Sequence, residues 1–324
     1  MSQTMTALTA TADRRWALAE VPRPVPGDGE VLVRARAVAT NEVDRLQLAD
    51  TTNAGDIAGF EFAGDVAELG GRVDTWELGD TVMGTAPRAF AEYVVVDHRH
   101  IISSPEGMEP AAACALPVGL STEHGALTKA GFSAGDSVLV TGASTGIGLL
   151  GVQVVKALGA LRVLGTTRSP EKRELLSSVG VDTVIVTTEE PISEVVLAAT
   201  EGEGVNVVLD HVAGQTFAEC LPLTRHDGRV VNIGRLDGAA ATIDIDDLSY
   251  RNLTVFGVSF GASRPVELGR NLSDLEHEVI PAVVRGHISP VVDQVLPWIR
   301  HDDAAAQLMS GDAHGKIVLT LDQD

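Results

Sequence analysis

The chain has few cysteines and few basic residues. Its 324 residues include only two cysteines, Cys114 and Cys220, which form no CxxC pair. This argues against a disulfide framework and against a structural zinc site. Lysines and arginines number 24 against 45 aspartates and glutamates, so the formal net charge is −21. An acidic protein repels phosphates, and nucleic acid and anionic membrane surfaces are therefore disfavoured as partners.

The chain also lacks a long apolar run. The longest stretch without charge covers residues 137–155, but its centre reads TGASTGIG, which favours a strand, a turn and a helix over a membrane span. The first residues, MSQTMTALTATADRRW, lack the basic segment and apolar core of a secretory signal. We therefore expect a soluble, cytoplasmic protein. Its length fits about two domains.

The first third of the chain has the pattern of a small β-barrel. In residues 30–39, EVLVRARAVA, side chains alternate with the two-residue period of a strand. Short segments punctuated by glycine follow, and they read IAGFEFAGDVAELG, GDTVMG and AFAEYVVVD. Several short strands separated by turn residues predict a barrel.

From about residue 120 onward, apolar strands alternate with helical segments, which predicts βαβ units and a parallel sheet. Six candidate strands match the number in a complete dinucleotide-binding fold. They are SVLVTG (137–142), LRVLGTT (161–167), TVIVT (183–187), VNVVLD (205–210), RVVNIG (229–234) and LTVFGVSF (253–260). The remaining chain ends in the strand KIVLTL, and we expect it to return to the first domain.

The segment TGASTGIG predicts a dinucleotide site. It lies between a predicted strand and an amphipathic helix, where glycine permits positive φ and close approach of the backbone to a pyrophosphate. The helix N-terminus offers unpaired N–H groups to that anion. A glycine-rich turn without a ligand is the alternative. The residues assigned to the cofactor here are Gly142, Ala143, Ser144, Gly146, Ile147 and Gly148.

The end of the second predicted strand indicates which nicotinamide cofactor is used. An NAD site has an acidic residue there, about 20 residues after the glycines, which binds the ribose 2′-OH. This chain has Thr166 and Thr167, followed by Arg168, Lys172 and Arg173. A neutral pocket with nearby cations suits a 2′-phosphate, so the sequence predicts NADPH. For Arg173, a solvated helix face is an equal alternative.

Two families share the TGxxxGxG motif. Short-chain dehydrogenases use a Tyr-x-x-x-Lys pair, but here Tyr93 is followed by Asp97 and Tyr250 by Thr254. The better resemblance covers nearly the whole chain and is to the medium-chain dehydrogenase/reductase superfamily, within it the zinc-independent quinone oxidoreductase group that includes zeta-crystallin. The matching segments are residues 59–70, 79–84, 89–97, 111–122, 135–160, 204–214, 228–238 and 314–319.

This resemblance implies an α/β fold. It consists of a GroES-like β-barrel catalytic domain and a Rossmann domain with a doubly wound parallel six-stranded sheet. The expected boundaries are 1–121 for the first part of the catalytic domain, 122–261 for the Rossmann domain and 262–324 for the return. Family members often pair the last Rossmann strand across a two-fold axis, which implies a homodimer.

The zinc ligands of the superfamily are missing. Where its zinc-dependent branch carries a Cys, a His and a further Cys, this chain has Thr40, Phe60 and Pro117. A metal cannot be held without ligands, so we expect none.

The resemblance implies hydride transfer from NADPH to a small, apolar, conjugated substrate. Asn41 matches a family asparagine near the nicotinamide, where its amide would donate to the carbonyl oxygen on which charge develops. A buried asparagine that ties a loop to the backbone is an equal alternative. Leu46 stands where related enoyl reductases have a tyrosine proton donor, so no general acid is identified. Leu46 and Phe60 would make the substrate pocket apolar.

The resemblance also implies further cofactor residues at strand ends and at the start of the Rossmann domain. They are Thr122, His211, Ile233, Gly234, Arg235, Leu236, Phe260 and Lys316. For Arg235 the alternative is a loop cap, and for Lys316 it is a surface position.

Three functions remain open at this stage. The first is NADPH-dependent quinone reduction, which tolerates a missing proton donor because water can protonate a reduced quinone. The second is reduction of enones or enoyl thioesters, although a CoA substrate would favour a basic groove. The third is an NADPH-binding protein with a structural or regulatory role and little turnover.

Overall fold

The computed structural model describes residues 4–260 and 264–321. Within these ranges the chain forms fifteen β-strands. They are β1 (Thr4–Ala10), β2 (Trp16–Pro22), β3 (Glu30–Ala39), β4 (Glu61–Leu69), β5 (Thr81–Thr85), β6 (Tyr93–Asp97), β7 (Ile101–Ser103), β8 (Ser137–Thr141), β9 (Arg162–Thr167), β10 (Thr183–Val186), β11 (Val205–Asp210), β12 (Thr224–Asn232), β13 (Thr254–Gly257), β14 (Val292–Pro297) and β15 (Lys316–Thr320).

The same residues form eleven α-helices and three short 3-10 segments. The helices are α1 (Glu42–Ala49), α2 (Pro110–Ala113), α3 (Pro117–Ala130), α4 (Gly146–Ala157), α5 (Arg173–Ser178), α6 (Ile192–Ala199), α7 (Gly214–Cys220), α8 (Ile245–Tyr250), α9 (Pro265–Glu278), α10 (Ile280–Val284) and α11 (His301–Ser310). The 3-10 segments are Thr51–Asn53, Pro170–Lys172 and Trp298–Arg300.

The chain divides into two compact units. Residues 4–118, 264–277 and 290–321 form the first unit, and residues 119–260 and 278–289 form the second. The expected boundary after residue 121 lies three positions from the division after residue 118. The expected boundary after residue 261 lies outside the described residues. Residues 278–289, which include α10, belong to the second unit, whereas the sequence predicts a single return segment.

The first unit is built on a mixed seven-stranded sheet with the order β14-β15-β3-β4-β5-β7, and β6 also pairs with β3. Its neighbours are antiparallel except for β14 and β15, which run parallel. Val33 of β3 lies opposite Val66 of β4 and Val94 of β6, and all three are buried. Apolar side chains at every second position therefore face one core, which confirms the expected GroES-like domain.

The second unit contains a parallel six-stranded sheet in the order β10-β9-β8-β11-β12-β13. The strand order reverses between β8 and β11, which are paired with each other. This confirms the expected doubly wound Rossmann sheet, in which ligands bind at the carboxyl ends of the strands beside such a reversal. β12 begins five residues earlier than predicted, and β13 is limited to four residues.

Helix starts in the second unit depend on local hydrogen bonds. The side chain of Thr145 accepts a hydrogen bond from the Gly148 N–H, so α4 begins at Gly146. A 3-10 segment precedes α5, and the side chain of Ser169 before that segment makes no capping bond.

None of the helices in the described chain is both long enough and apolar enough to cross a membrane.

Candidate functional site

The turn from β8 into α4 has the shape of an anion-binding loop. Gly142 has a φ of +60°, which an L side chain rarely adopts. A Cβ at Gly148 would lie only 2.5 Å from the Gly142 carbonyl oxygen, so the turn closes tightly only with glycine there. The first N–H groups of α4 and its dipole follow directly. These features fit the pyrophosphate of a dinucleotide.

The two threonines at the end of β9 support this turn. The Thr166 hydroxyl accepts a hydrogen bond from the Gly142 N–H at 2.9 Å, and the Ser144 and Thr167 hydroxyls lie 3.0 Å apart. Both threonine side chains are buried. The position where an acidic residue would bind a ribose 2′-OH is therefore occupied by neutral hydroxyls that hold the glycine turn.

The three cations after β9 have different surroundings. Arg168 is exposed, and no ion pair within the described part of the chain engages its guanidinium. Lys172 is buried. Arg173 donates to Glu189 at 2.6 Å, which agrees with the alternative that Arg173 lies on a solvated helix face and does not bind the cofactor. Arg168 is thus the cation available to a 2′-phosphate.

The ends of β11 and β12 are held together by Asp210 and Asn232. The backbone N–H groups of Ile233 and Gly234 donate to the Asp210 carbonyl at 2.7 and 3.1 Å. The Asn232 amide donates to the Asp210 carboxylate at 3.0 Å and to the Gly234 carbonyl at 2.9 Å. These contacts fix the backbone of the predicted cofactor segment that follows β12.

The other predicted cofactor residues of the second unit differ in exposure. Arg235 and Leu236 are exposed, whereas Thr122 and Phe260 are half-buried. His211 is buried, and both of its ring nitrogens contact protein groups. Direct contact of these residues with a cofactor stays a prediction.

In the first unit, Asn41, Glu61 and Lys316 meet in one buried cluster. The Asn41 amide N donates to Glu61 Oε1 at 3.0 Å, and Asn41 Oδ1 accepts from Lys316 Nζ at 2.5 Å. Lys316 Nζ also donates to Glu61 Oε1. The Val118 N–H donates to Glu61 Oε2 at 3.0 Å. The Asn41 amide is thus tied to two side chains, and its donation to a substrate stays a prediction.

Asp44 adds a titratable carboxyl beside this cluster. Its Oδ2 accepts from the Asn41 N–H at 2.7 Å, while Oδ1 is buried without a hydrogen-bond partner among the described residues. Burial raises the pKa of Asp44 to about 7, against the opposing effects of the Asn41 N–H and the Lys316 charge. No sequence pattern singles out this carboxyl, because its burial depends on tertiary packing.

The residues at the expected zinc positions do not fit a zinc ion. Thr40, Phe60 and Pro117 directly precede Asn41, Glu61 and Val118 of the cluster. They provide no thiolate or imidazole ligand. Across residues 4–260 and 264–321, no group of three or more His, Cys, Asp or Glu side chains is arranged to hold a metal.

The two predicted substrate residues lie close to this cluster along the chain. Phe60 is half-buried directly before Glu61, and Leu46 on α1 is 56% exposed. Neither side chain has a polar group, which is consistent with an apolar substrate pocket. That these residues line such a pocket stays a prediction.

Two family models match separate parts of the chain. The alcohol dehydrogenase GroES-like domain matches residues 27–106, and the zinc-binding dehydrogenase model matches residues 146–274. These two segments lie in the first and second units, respectively, apart from the part of the second match beyond residue 260.

Relatives of known name match over most of the chain. Quinone oxidoreductase-like protein 2 of Bos taurus is 30% identical over 330 residues, which cover 97% of this chain and 92% of that protein. Highly reducing polyketide synthase 40 of Fusarium pseudograminearum is 30% identical over 303 residues, but the chain spans only 12% of that synthase. The solved structure of a mycobacterial quinone oxidoreductase has a TM-score of 0.87 at 25% identity, and covers 98% of this chain and 100% of that one.

The family models, the bovine relative and the shared fold agree with the glycine turn and the two-unit architecture. The chain therefore belongs to the medium-chain dehydrogenase/reductase superfamily of oxidoreductases, which use a nicotinamide cofactor, and within it to the quinone oxidoreductase-like group.

Proposed function

We propose that this protein reduces quinones or related conjugated carbonyl compounds, with NADPH as the hydride donor and without a metal. The observation that carries the proposal is the cluster of Asn41, Glu61 and Lys316. Asn41 and Glu61 directly follow two of the three positions at which the zinc branch has ligands, and the N–H of Val118, which follows the third, donates to Glu61. Those three positions carry Thr40, Phe60 and Pro117.

A site without a Lewis acid favours an acceptor that can spread negative charge by itself. An isolated ketone develops a full charge on one oxygen during hydride addition, which needs strong electrostatic stabilisation. A quinone or an enone delocalises that charge over its conjugated system. In the cluster, Lys316 is paired with Glu61 and the Asn41 amide is neutral, which favours the second kind of acceptor.

The cofactor half of the proposal rests on the end of β9. When bound, NADPH supplies the hydride, and the chain's own residues bind and orient it. The glycine turn and the N-terminus of α4 would hold the pyrophosphate. Thr166 and Thr167 leave the ribose position without a carboxylate, and the exposed guanidinium of Arg168 would pair with the 2′-phosphate.

Reduction of an enone or enoyl thioester is the second candidate. Protonation of a carbon is slower than protonation of a quinone oxygen and needs a positioned acid. Asp44 favours this candidate, because burial raises its pKa to about 7 and it lies next to Asn41. A carboxyl with that pKa can hold a proton at neutral pH and release it.

Anaerobic NADPH oxidation with a quinone, a simple enone and an enoyl-CoA tests the proposal. Oxygen is excluded so that semiquinone cycling does not imitate turnover. We expect rapid oxidation with the quinone and slower or no oxidation with the other two. Faster turnover of the enone or thioester would replace the first candidate by the second. Tight NADPH binding without turnover of any acceptor would contradict both and favour a binding role.

Arg168→Gln should lower kcat/KM for NADPH and leave that for NADH nearly unchanged. A charge-assisted hydrogen bond contributes about 1.5–3 kcal/mol, so the expected loss is about 10- to 100-fold. Arg162→Gln is the matched control, because Arg162 lies at the opposite end of the same strand. An equal loss of kcat/KM with NADPH and NADH, or a loss of kcat/KM for NADPH in Arg162→Gln, would argue against a 2′-phosphate contact at Arg168.

A further inference from the structure

Glu123 and His211 form a buried pair that the proposed function does not use. Glu123 lies on α3 and His211 directly follows β11, and their side chains are 0% and 2% exposed. His211 Nε2 lies 2.6 Å from Glu123 Oε1. Two ionisable groups are rarely taken out of water in this way unless each is the partner of the other.

The surrounding groups determine how the pair is protonated. His211 Nδ1 lies 2.8 Å from the Thr141 carbonyl oxygen, which can only accept, so Nδ1 carries a hydrogen. Burial lowers the pKa of His211, but the charges of Glu123 and Asp210 and the bonds to Glu123 and Thr141 outweigh it and raise the pKa overall. His211 thus donates from Nδ1 to the Thr141 carbonyl, and one proton joins its Nε2 to Glu123 Oε1.

His211 lies between the two turns that carry the predicted cofactor residues. Its backbone N–H donates to the Thr141 hydroxyl at 3.0 Å, and Thr141 directly precedes Gly142. On its other side, a Cβ at Gly234 would lie 2.3 Å from the His211 carbonyl oxygen. The turn after β8 and the turn after β12 therefore both pack closely against this residue.

Glu123 contacts the helix into which the first turn leads. A Cβ at Gly151 of α4 would lie 2.7 Å from Glu123 Oε2, so α4 passes this carboxylate closely only because position 151 has no side chain. Oε2 is buried without a hydrogen-bond partner among the described residues. The pair thus touches the end of β8 through His211 and the second turn of α4 through Glu123.

We propose that the Glu123–His211 pair positions the nicotinamide cofactor by holding the β8–α4 turn in its binding geometry. In this role both residues act through the turn, whether or not His211 also contacts the cofactor as the resemblance implies. The role depends on the hydrogen bond between the two side chains, because that bond keeps Nδ1 of His211 on the Thr141 carbonyl. The proposed role concerns binding of the cofactor alone and does not depend on which acceptor is reduced.

The test is the Kd for NADPH and for NADH, measured by isothermal titration calorimetry on the full chain without an acceptor. Glu123→Leu removes the bond, and Kd should rise at least tenfold for the cofactor that the wild type prefers. Glu123→Gln can still donate to a neutral His211, and Kd should stay within threefold of the wild type. Val196→Ala, a core change on α6, controls for lost stability.

Gly151→Ala gives a second, independent variant. Alanine favours a helix more than glycine does by about 1 kcal/mol, which offsets part of the cost of the close contact with Glu123. The proposal predicts weaker cofactor binding, because the added Cβ displaces the Glu123 carboxylate.

Unchanged Kd in both Glu123→Leu and Gly151→Ala would overturn the proposal. Equal increases of Kd in Glu123→Gln and Glu123→Leu would also overturn it. The same holds if Val196→Ala, at the same melting temperature as Glu123→Leu, raises Kd equally. If Glu123→Leu does not fold, the result for Gly151→Ala decides. Since binding is measured without an acceptor, failure of the proposed quinone reduction would leave this outcome unaffected.

Discussion

Asp44, Glu61 and Lys316 bring three ionisable side chains into the interior of the first unit. All three are buried. Lys316 compensates Glu61 through a direct ion pair, whereas Asp44 has one oxygen without a partner among the described residues. A buried carboxylate with few partners is costly, and the protein reduces that cost by favouring the protonated form. The pKa of about 7 is the result.

Asp44→Asn should therefore make the free energy of unfolding less dependent on pH. Folding raises the pKa of Asp44 from 3.8 to about 7, so the folded chain binds this proton more tightly. The stabilisation is fully present below the unfolded pKa and is lost as pH rises through the folded one. The wild type should lose stability relative to the variant between about pH 5 and about pH 7, which lies between the two pKa values, as measured by urea midpoints.

Asp50→Asn is the control for this comparison. Asp50 lies at the end of the same helix, and hydrogen bonds from Thr52 lower its pKa. Its substitution should shift the urea midpoint equally at both pH values. Parallel pH dependence in the wild type and in Asp44→Asn would show that Asp44 is ionised in the folded chain throughout.

Contacts of single residues were predictable where the residues lie near each other along the chain. Thr166 and Thr167 follow the glycine turn within one βαβ unit, and the structure brings them onto that turn. The pairing of Glu61 with Lys316 joins positions 255 residues apart. Glu123 was not singled out, since a lone glutamate in an apolar helix carries no signal until its partner is known. Contacts of this kind depend on tertiary packing rather than on local pattern.

At the scale of elements, the β8–α4 segment combines a strand, a tight turn and a capped helix. The Thr145 hydroxyl donates to the Gly142 carbonyl at 2.9 Å and accepts from the Gly148 N–H at 3.1 Å. One side chain thus links the first and last glycines of the turn. The sequence predicted the element from its glycines, but TGASTGIG does not reveal which residue provides the cap.

Thr145→Ala should destabilise the protein by about 1 kcal/mol and weaken NADPH binding by several-fold. The loss of the hydroxyl frees both ends of the turn and leaves the Gly148 N–H without its partner. Thr145→Ser retains the hydroxyl and should bind NADPH as the wild type does. Urea unfolding and calorimetric Kd values measure the two effects. Equal binding by Thr145→Ala and Thr145→Ser would mean that the cap does not shape the cofactor site.

At the scale of the whole molecule, the six-stranded sheet leaves β13 at one edge. Among the described residues, β13 pairs only with β12, and Val255 is 38% exposed. An apolar edge strand with unpaired backbone groups is a template for pairing with another strand. We propose that two copies of the chain pair through β13 into a homodimer.

Val255→Lys should convert this dimer into a monomer, since a charge on an edge strand opposes strand pairing. Size-exclusion chromatography with light scattering gives the mass directly. Val295→Lys is the matched control, because Val295 is 51% exposed on β14, the edge strand of the other large sheet. A monomeric wild type, or dissociation caused by Val295→Lys alone, would contradict pairing through β13.

The central claim is hydride transfer to a conjugated carbonyl compound without a metal. Its most direct test is the anaerobic rate of NADPH oxidation with a quinone, before and after exhaustive treatment of the protein with a chelator. We predict the same kcat in both samples, with no gain on addition of zinc, because Thr40, Phe60 and Pro117 offer no ligands. Loss of the rate on chelation and its recovery with zinc would contradict the account.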